Sequence, residues 1–405
     1  MERRLLQARW MVPVCQPPIE NGWVEIFGDR IVAVGHPPAD RQAVDLGDVA
    51  LFPGLVNAHT HLEFSHLTAP LERMGDPLPQ WLAAVVAQRR NAQPLGQPVS
   101  EHDRTVAIRS GHEQSNRAGV VLLGEILTPP WQLSLSKNGP QVVAFVEALG
   151  LSPIRADESF QAARHWLQLC GRTRSCGISP HAPYSVSLDL LRRCVSLASE
   201  LRLPVAMHVA ESLEELRLLR YGDGPFRKFL RQVGAWQPGH FPVSGGILTF
   251  LKELACAPRS LIVHGNYLPD EAIDFLASQP HMSVIYCPRT HAYFQHQNYP
   301  LAKLSKAGIR VALGTDSLAS NPDLNLWREF RQVLSVHPWL AVSDALQMVT
   351  LTAAEALGRA DFGRLAPGCV SRLLCIPSNA DTVSRLWRDF ASADTPKEVT
   401  MALPD

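Results

Sequence analysis

Eight short apolar runs recur between residues 50 and 317, and stretches of helical period lie between most of them. The runs are ALFPGLVNAH (50–59), GVVLLGEIL (119–127), QVVAFVEAL (141–149), SCGISPHAP (175–183), PVAMHVAE (204–211), SLIVHGNYL (260–268), MSVIYCPRT (282–290) and RVALGTDS (310–317). Strands that are apolar almost throughout, rather than on alternate positions, are covered on both faces, as in a parallel sheet wrapped by helices. Eight is the number that closes a barrel, so the fold class is α/β with a (β/α)8 TIM barrel. The helix candidates include WLAAVVAQRR, FQAARHWLQL, LDLLRRCVSLASEL with Ser187 as N-cap, DEAIDFLASQ after Pro269, and SDALQMVTLTAAEALG (343–358) opened by Ser343.

The segments outside the alternation read differently. WVEIFGDRIVAVG is a hairpin pattern with its turn at Gly28-Asp29, and FGRLAPGCVSRLLCIP returns to strand character near the other end. Neither piece can bury both faces alone, so the two are expected to pair. Residues 1–50 plus 364–405 would form a small composite β-sandwich, and 51–363 the barrel. The stretch from Ser212 to Arg259 exceeds what a crossover needs, and its glycine- and proline-rich centre suits a lid over the site or a plain surface insertion.

Bulk composition excludes several function classes. Lysine plus arginine equals aspartate plus glutamate at 38 each, so no basic field exists to hold nucleic acid. No apolar run approaches the ~20 residues that a membrane span needs. MERRLLQARWMVPV lacks the long apolar core of a secretory leader, and the eight cysteines are scattered without a C-x-x-C pair. These features lead to the expectation of a cytoplasmic protein with reduced thiols, for which a homodimer is the default assembly.

Ligand-type side chains collect at the C-terminal ends of the runs: His59 and His61, His181, His208 and Glu211, His264, Arg289 and His291, and Asp316. Residues two apart on a strand point the same way, so His59 and His61 present their imidazoles together. Active sites of barrels gather at that rim, and a catalytic divalent metal takes three or four protein N/O ligands there. His59, His61, His208 and Asp316 supply such a set. Glu211, just past His208, can carry a proton from the attacking water to a leaving nitrogen, and His264 can hydrogen-bond the oxygen that develops at the attacked carbon. The fourth run contains no lysine to bridge a second ion, so one metal is expected: zinc, with ferrous iron as the alternative.

With these residues in view, the chain resembles the amidohydrolase superfamily, in the branch of mononuclear aminohydrolases. That branch holds deaminases of cytosine, guanine, methylthioadenosine/S-adenosylhomocysteine and aminodeoxyfutalosine, together with triazine hydrolases. PGLVNAHTH, HAPYS (181–185), HVAES (208–212), HGNYL (264–268), CPRTH (287–291) and GTDSLASN (314–321) carry the likeness in order, and the terminal β segments extend it over nearly the whole chain. The resemblance implies metal ligation by His59, His61, His208 and Asp316, proton shuttling by Glu211, substrate or water contact by His264, and a second role for Asp316 as a base toward water. Two departures stand out. The tail reads LAPGCVSRLLCI where relatives have Pro-Gly followed by Ala-Asp-Leu, and Arg289 replaces a small polar residue.

The substrate reading follows from smaller signals. HAPYS resembles the segment whose histidine, here His181, faces the substrate in deaminases of adenosine-like thioethers and of aminodeoxyfutalosine. Glu63, directly after the metal pair in HTHLEFS, leans toward the latter group. Arg289 could pair with a substrate carboxylate or simply bond loop carbonyls, and Glu125 and Glu147 could touch substrate or cap helices. The expected function is hydrolytic deamination of an amino-substituted heterocycle, purine nucleoside-type, with metal-activated water as nucleophile. A triazine-type chlorohydrolase or a guanidine/amide hydrolase would use the same site, and a non-catalytic scaffold is the reading from a different class.

Overall fold

A computed structural model of the chain describes residues 3–36, 43–91, 101–128, 135–136, 138–170 and 175–399. Readings of the terminal module that fall on residues 1–2, 37–42 and 400–405 lie outside the described residues.

Eight strands form one parallel sheet in chain order: β1 (Leu55–Thr60), β2 (Val120–Leu127), β3 (Gln141–Ala148), β4 (Cys176–Pro180), β5 (Val205–Val209), β6 (Ser260–His264), β7 (Met282–Tyr286) and β8 (Val311–Leu313). All their residues are buried except the first two of β3, as expected for strands covered on both faces. The sheet curls until β8 returns to β1. There the Thr315 and Asp316 N–H groups both donate to the His59 carbonyl at 3.1 Å, and the Thr60 hydroxyl donates to the Asp316 carbonyl at 2.9 Å. Asn57 ties the same seam from below, donating to the Thr315 hydroxyl at 2.8 Å and accepting from the Thr315 N–H at 3.2 Å.

Strands from the two terminal segments pair with one another in a single sheet. A seven-stranded mixed sheet runs in the order Lys397–Glu398, Leu373–Pro377, Val49–Pro53, Arg3–Met11, Ile19–Phe27 and Arg30–Gly35, with Val44–Asp45 paired to Arg3–Met11. The hairpin turns at Gly28-Asp29, where Gly28 takes φ 63°. Gly54 is the switch between the two sheets. A Cβ there would sit 2.2 Å from Val121 Cγ1, so only glycine lets the chain leave the outer sheet and start β1 within one residue.

Three expectations on element bounds are corrected. The run 50–59 is two strands, divided at Gly54. The run 282–290 stops at Tyr286, and Pro288–Tyr293 is helical because Pro288 occupies a favourable first helical position. The single helix 343–358 is two, Val342–Met348 and Leu351–Ala356, and Ser343 is not its cap. At the break the Val349 carbonyl turns out of the helix to accept the Val56 N–H at 2.8 Å, so pairing with the barrel outweighs helical continuity. The three helices Leu213–Tyr221, Pro225–Gln232 and Gly246–Leu254 occupy the 212–259 insertion, and among the described residues no helix is long and apolar enough to cross a membrane.

A Cβ on Gly314 would meet the His59 carbonyl oxygen at 2.8 Å, at the seam that closes the barrel. Gly314→Val should therefore cost about 1–3 kcal/mol through forced backbone shifts, read as a fall of several degrees in thermal denaturation. An unchanged melting temperature would show that the seam tolerates the added bulk.

Candidate metal centre and substrate cavity

His59 lies at the end of β1 and His61 directly after it, His208 lies in β5, and Asp316 follows β8 by three residues. The closed seam brings them to one point. One ring nitrogen of each of His59, His61 and His208 can be chosen so that all three lie within 4.8 Å of one another. His61 Nε2 is 3.3 Å from His208 Nε2, and Asp316 Oδ1 is 3.7 Å from His59 Nε2 and 3.8 Å from His61 Nε2. Burial, followed by repulsion among neighbouring imidazoles, holds His59 and His61 well below the usual histidine range. His208 is pushed down to about 4, again mainly by burial. Neutral imidazoles with free lone pairs are what a metal ion needs.

The surroundings orient these donors. The His208 Nδ1–H donates to the His181 carbonyl at 2.8 Å, which leaves the Nε2 lone pair facing His61. Asp316 accepts from the Ser320 hydroxyl at 3.0 Å on Oδ2, leaving Oδ1 toward the imidazoles. His59 Nε2 is buried without a hydrogen-bond partner. An orphaned imidazole nitrogen, two more nitrogens in near contact and a carboxylate oxygen less than 4 Å away form a donor set that fits one divalent cation.

Glu211 and His264 stand beside this cluster, with Glu211 Oε1 3.4 Å from His264 Nε2. Burial, then the nearby Asp316 and Glu215, push the Glu211 carboxyl well above the usual range. Its backbone is held at both ends. Glu215, fully buried, accepts from the N–H groups of Ala210 at 3.0 Å and Glu211 at 2.8 Å, and Asn266 donates to the Glu211 carbonyl at 2.9 Å. Ala210, His264 and Asp316 have φ of 53°, 68° and 57°, left-handed values that non-glycine residues adopt at some cost. The strained positions are thus the places where β5, β6 and β8 turn to aim side chains at the cluster. Glu215 was missed in the sequence, although Ser212-x-x-Glu215 has the spacing of a capping box, and Ser212 does cap the helix through the Glu215 N–H.

The remaining expected residues separate into two groups. His181 and Glu147 line a cavity that opens over the cluster, with His181 Nε2 4.0 Å from Glu147 Oε1. Glu63 is buried next to them, bonded to Arg89 at 2.5 Å and to the Thr128 hydroxyl at 3.2 Å. Arg289 lies apart. Its guanidinium makes a bidentate pair with Asp323 at 2.7 and 3.2 Å and approaches the fully buried Glu329 at 3.8 Å, and it does not line the cavity. His291, on the same short helix, is likewise absent from the lining. Glu125 spends its carboxylate on the Leu62 N–H at 3.0 and 3.1 Å. The arginine on the cavity wall is Arg89, from the helix Leu78–Asn91, where a sequence reading sees only an amphipathic surface helix.

The cavity, about 230 Å³, is floored by His61, His208, His264, Glu211 and Asp316. Phe229, Leu230, Val233 and Ala235 of the 212–259 insertion form part of its wall. A larger, open depression of about 760 Å³ lies by Cys176, Pro204 and Arg259, at the opposite, N-terminal ends of the strands, and gathers no imidazoles.

Comparison with known proteins agrees with this geometry. Residues 50–390 match the model of the Amidohydrolase family. An aminodeoxyfutalosine deaminase of Deinococcus radiodurans is 30% identical over 339 residues, covering 79% of this chain and 77% of that protein. A 5-methylthioadenosine/S-adenosylhomocysteine deaminase of Nitratidesulfovibrio vulgaris is 27% identical over 396 residues, 91% of this chain and 82% of its own. The solved structure of atrazine chlorohydrolase from Arthrobacter aurescens, complexed with zinc, superposes with a TM-score of 0.77 at 19% identity, covering 96% of this chain and 91% of that one.

Metal analysis of the purified protein should find about one divalent ion per chain, and His208→Ala should reduce it markedly, because the set loses an imidazole that its bond to the His181 carbonyl holds in place and the remaining donors no longer surround the ion. Full retention in the variant would place the ion elsewhere. Arg289→Met should leave metal content unchanged but cost about 1–3 kcal/mol of stability in denaturant titration, since Asp323 loses its bidentate partner and Glu329 the cation beside it. A variant as stable as the parent would remove the structural role of Arg289.

Proposed function

The chain belongs to the amidohydrolase family and is a hydrolytic enzyme; we propose that it removes the ring amine of an aminopurine nucleoside as ammonia, with aminodeoxyfutalosine-like compounds favoured. The observation that carries this reading is the convergence of three neutral imidazoles and one carboxylate oxygen, beside a buried Glu–His pair, on the floor of a cavity large enough for a heterocycle. The deaminases among its relatives support the choice of leaving group.

His59, His61, His208 and Asp316 would hold one divalent ion. Zinc is preferred on the donor set and on the zinc complex of a protein with the same fold. Bound there, the ion lowers the pKa of water toward neutrality and so supplies a nucleophile at the floor of the cavity. The protein's own groups do the rest. Glu211, beside the cluster and 3.4 Å from His264, takes the proton that the attacking water gives up and passes it to the departing nitrogen. His264, within 3.4 Å of Glu211, donates from Nε2 to the oxygen added at the ring carbon as that carbon becomes tetrahedral. Collapse then breaks the carbon–nitrogen bond, releases ammonia and leaves a ring carbonyl. His181 and Glu147 contact the heterocycle or sugar from the wall, and Glu63 acts on substrate only through Arg89. The free state of all eight cysteines suits the reducing cytoplasm.

Glu211→Gln tests the assignment. The variant should keep its metal and lose roughly 10²- to 10⁴-fold in ammonia release from the best aminopurine nucleoside. A near-normal rate would remove Glu211 from the proton path. Chloride from a chlorotriazine in place of ammonia, as the fold neighbour's name suggests, would move the reading to another leaving group.

A further inference from the structure

The loops that leave β6 and β7 are tied to one another by two tyrosine hydroxyls that cross in opposite directions. Tyr299, on the stretch that follows the short helix Pro288–Tyr293, donates from Oη to the His264 carbonyl at 2.9 Å. Tyr267, just past β6, reaches the other way. Its hydroxyl lies 3.2 Å from His296 Nδ1 and accepts from the Gln297 N–H at 3.3 Å. The Tyr299 ring is buried and firmly seated. It stacks on Tyr286, the last residue of β7, with centroids 3.6 Å apart and planes 10° from parallel, and His291 meets both rings edge-on at 5.7 Å.

The carbonyl that Tyr299 serves lies at a costly place in the backbone. Pairing of β6 with β7 ends at Val263 and Ile285, one residue short of His264. His264 and Gly265 then take left-handed conformations, with φ of 68° and 61°. A histidine held there stores local strain, and a buried carbonyl past the end of the ladder needs a donor. The same loop carries the backbone of the proton-transfer carboxyl. The Gly265 N–H donates to the Val209 carbonyl at 3.0 Å, the Tyr267 N–H to the Ala210 carbonyl at 3.0 Å, and the Asn266 side chain to the Glu211 carbonyl at 2.9 Å. One loop thus aims His264 and fixes Glu211, whose Oε1 is 3.4 Å from His264 Nε2. Neither Tyr267 nor Tyr299 lines the cavity, so their hydroxyls act through this loop.

We propose that Tyr299, with Tyr267 as its counterpart, is a positioning residue for the Glu211–His264 pair, holding the His264 imidazole at the point where oxygen is added to the ring carbon. The proposal rests on the deaminase reading for what the pair does and adds what keeps the pair in place.

Tyr299→Phe removes one oxygen and leaves the stacked ring. In the zinc-loaded protein, kcat for ammonia release from the best aminopurine nucleoside should fall about tenfold, with KM within about twofold of the parent. The split follows because His264 acts on an oxygen that is present only as the carbon becomes tetrahedral. Metal content should not change. In protein labelled at the histidine ring nitrogens, the magnetic resonance signal of His264, assigned by its loss in His264→Asn, should broaden or split in the variant. Tyr267→Phe should move kcat and the signal in the same direction by a smaller amount, and it serves as the test if Tyr299→Phe does not fold. An unchanged kcat, a loss carried by KM alone, or a His264 signal identical to the parent's overturns the positioning role, even where the melting temperature falls. No ammonia from the parent with any nucleoside overturns the deaminase reading instead. The His264 signal then decides the positioning role alone: broadening supports it, and an unchanged signal overturns it.

Discussion

Closure of the barrel and convergence of the candidate metal donors depend on the same backbone bonds. The N–H groups of Thr315 and Asp316 donate to the carbonyl of His59, so the bonds that join the last strand to the first also fix the spacing between an imidazole and a carboxylate of the donor set. This seam lies in a fully buried strand pair, where every backbone donor must find an acceptor. A shift of β8 by one residue would leave polar groups unpaired and turn Asp316 away from His59. The left-handed turns at Ala210, His264 and Asp316 add local strain that the closed sheet sustains, which places the costly backbone at the rim where side chains must converge.

Around that seam the fold supplies supports in layers. Gly54 lets the chain pass from the outer sheet into β1 in one step, Val349 interrupts a helix to pair with Val56, and the outer sheet is stitched from both chain ends. Glu215 and Asn266 grip the backbone of Glu211 from its two sides, so the carboxyl that would move a proton sits on a segment with little freedom. Preorganisation of this kind lowers the cost of reaching the reacting geometry.

The strands and their rim residues were legible because two simple rules act on them. Fully buried strands are apolar almost throughout, and a barrel sends the ends of those strands to one face, so His59, His61, His208, Glu211, His264 and Asp316 announce their convergence by position alone. Arg289 misled because CPRTH reads as a strand end, while Pro288 had already begun a helix whose arginine turns to Asp323 and Glu329. Arg89 was illegible for the opposite reason. It lies in an ordinary-looking amphipathic helix, and only the packing of that helix beside the 212–259 insertion makes it part of a cavity wall. Contacts between elements distant in sequence, such as Arg89 with Glu63 and Glu147, follow from tertiary packing and leave no local pattern.

The central claim is that four particular side chains form a mononuclear metal centre. Anomalous diffraction from crystals of the purified protein, recorded on both sides of the absorption edge of the metal found by elemental analysis, tests it most directly. The account predicts one peak per chain, bonded by His59, His61, His208 and Asp316 at about 2.0–2.2 Å. Two peaks at this rim, a peak ligated by other residues, or a fully active protein without any metal would contradict it.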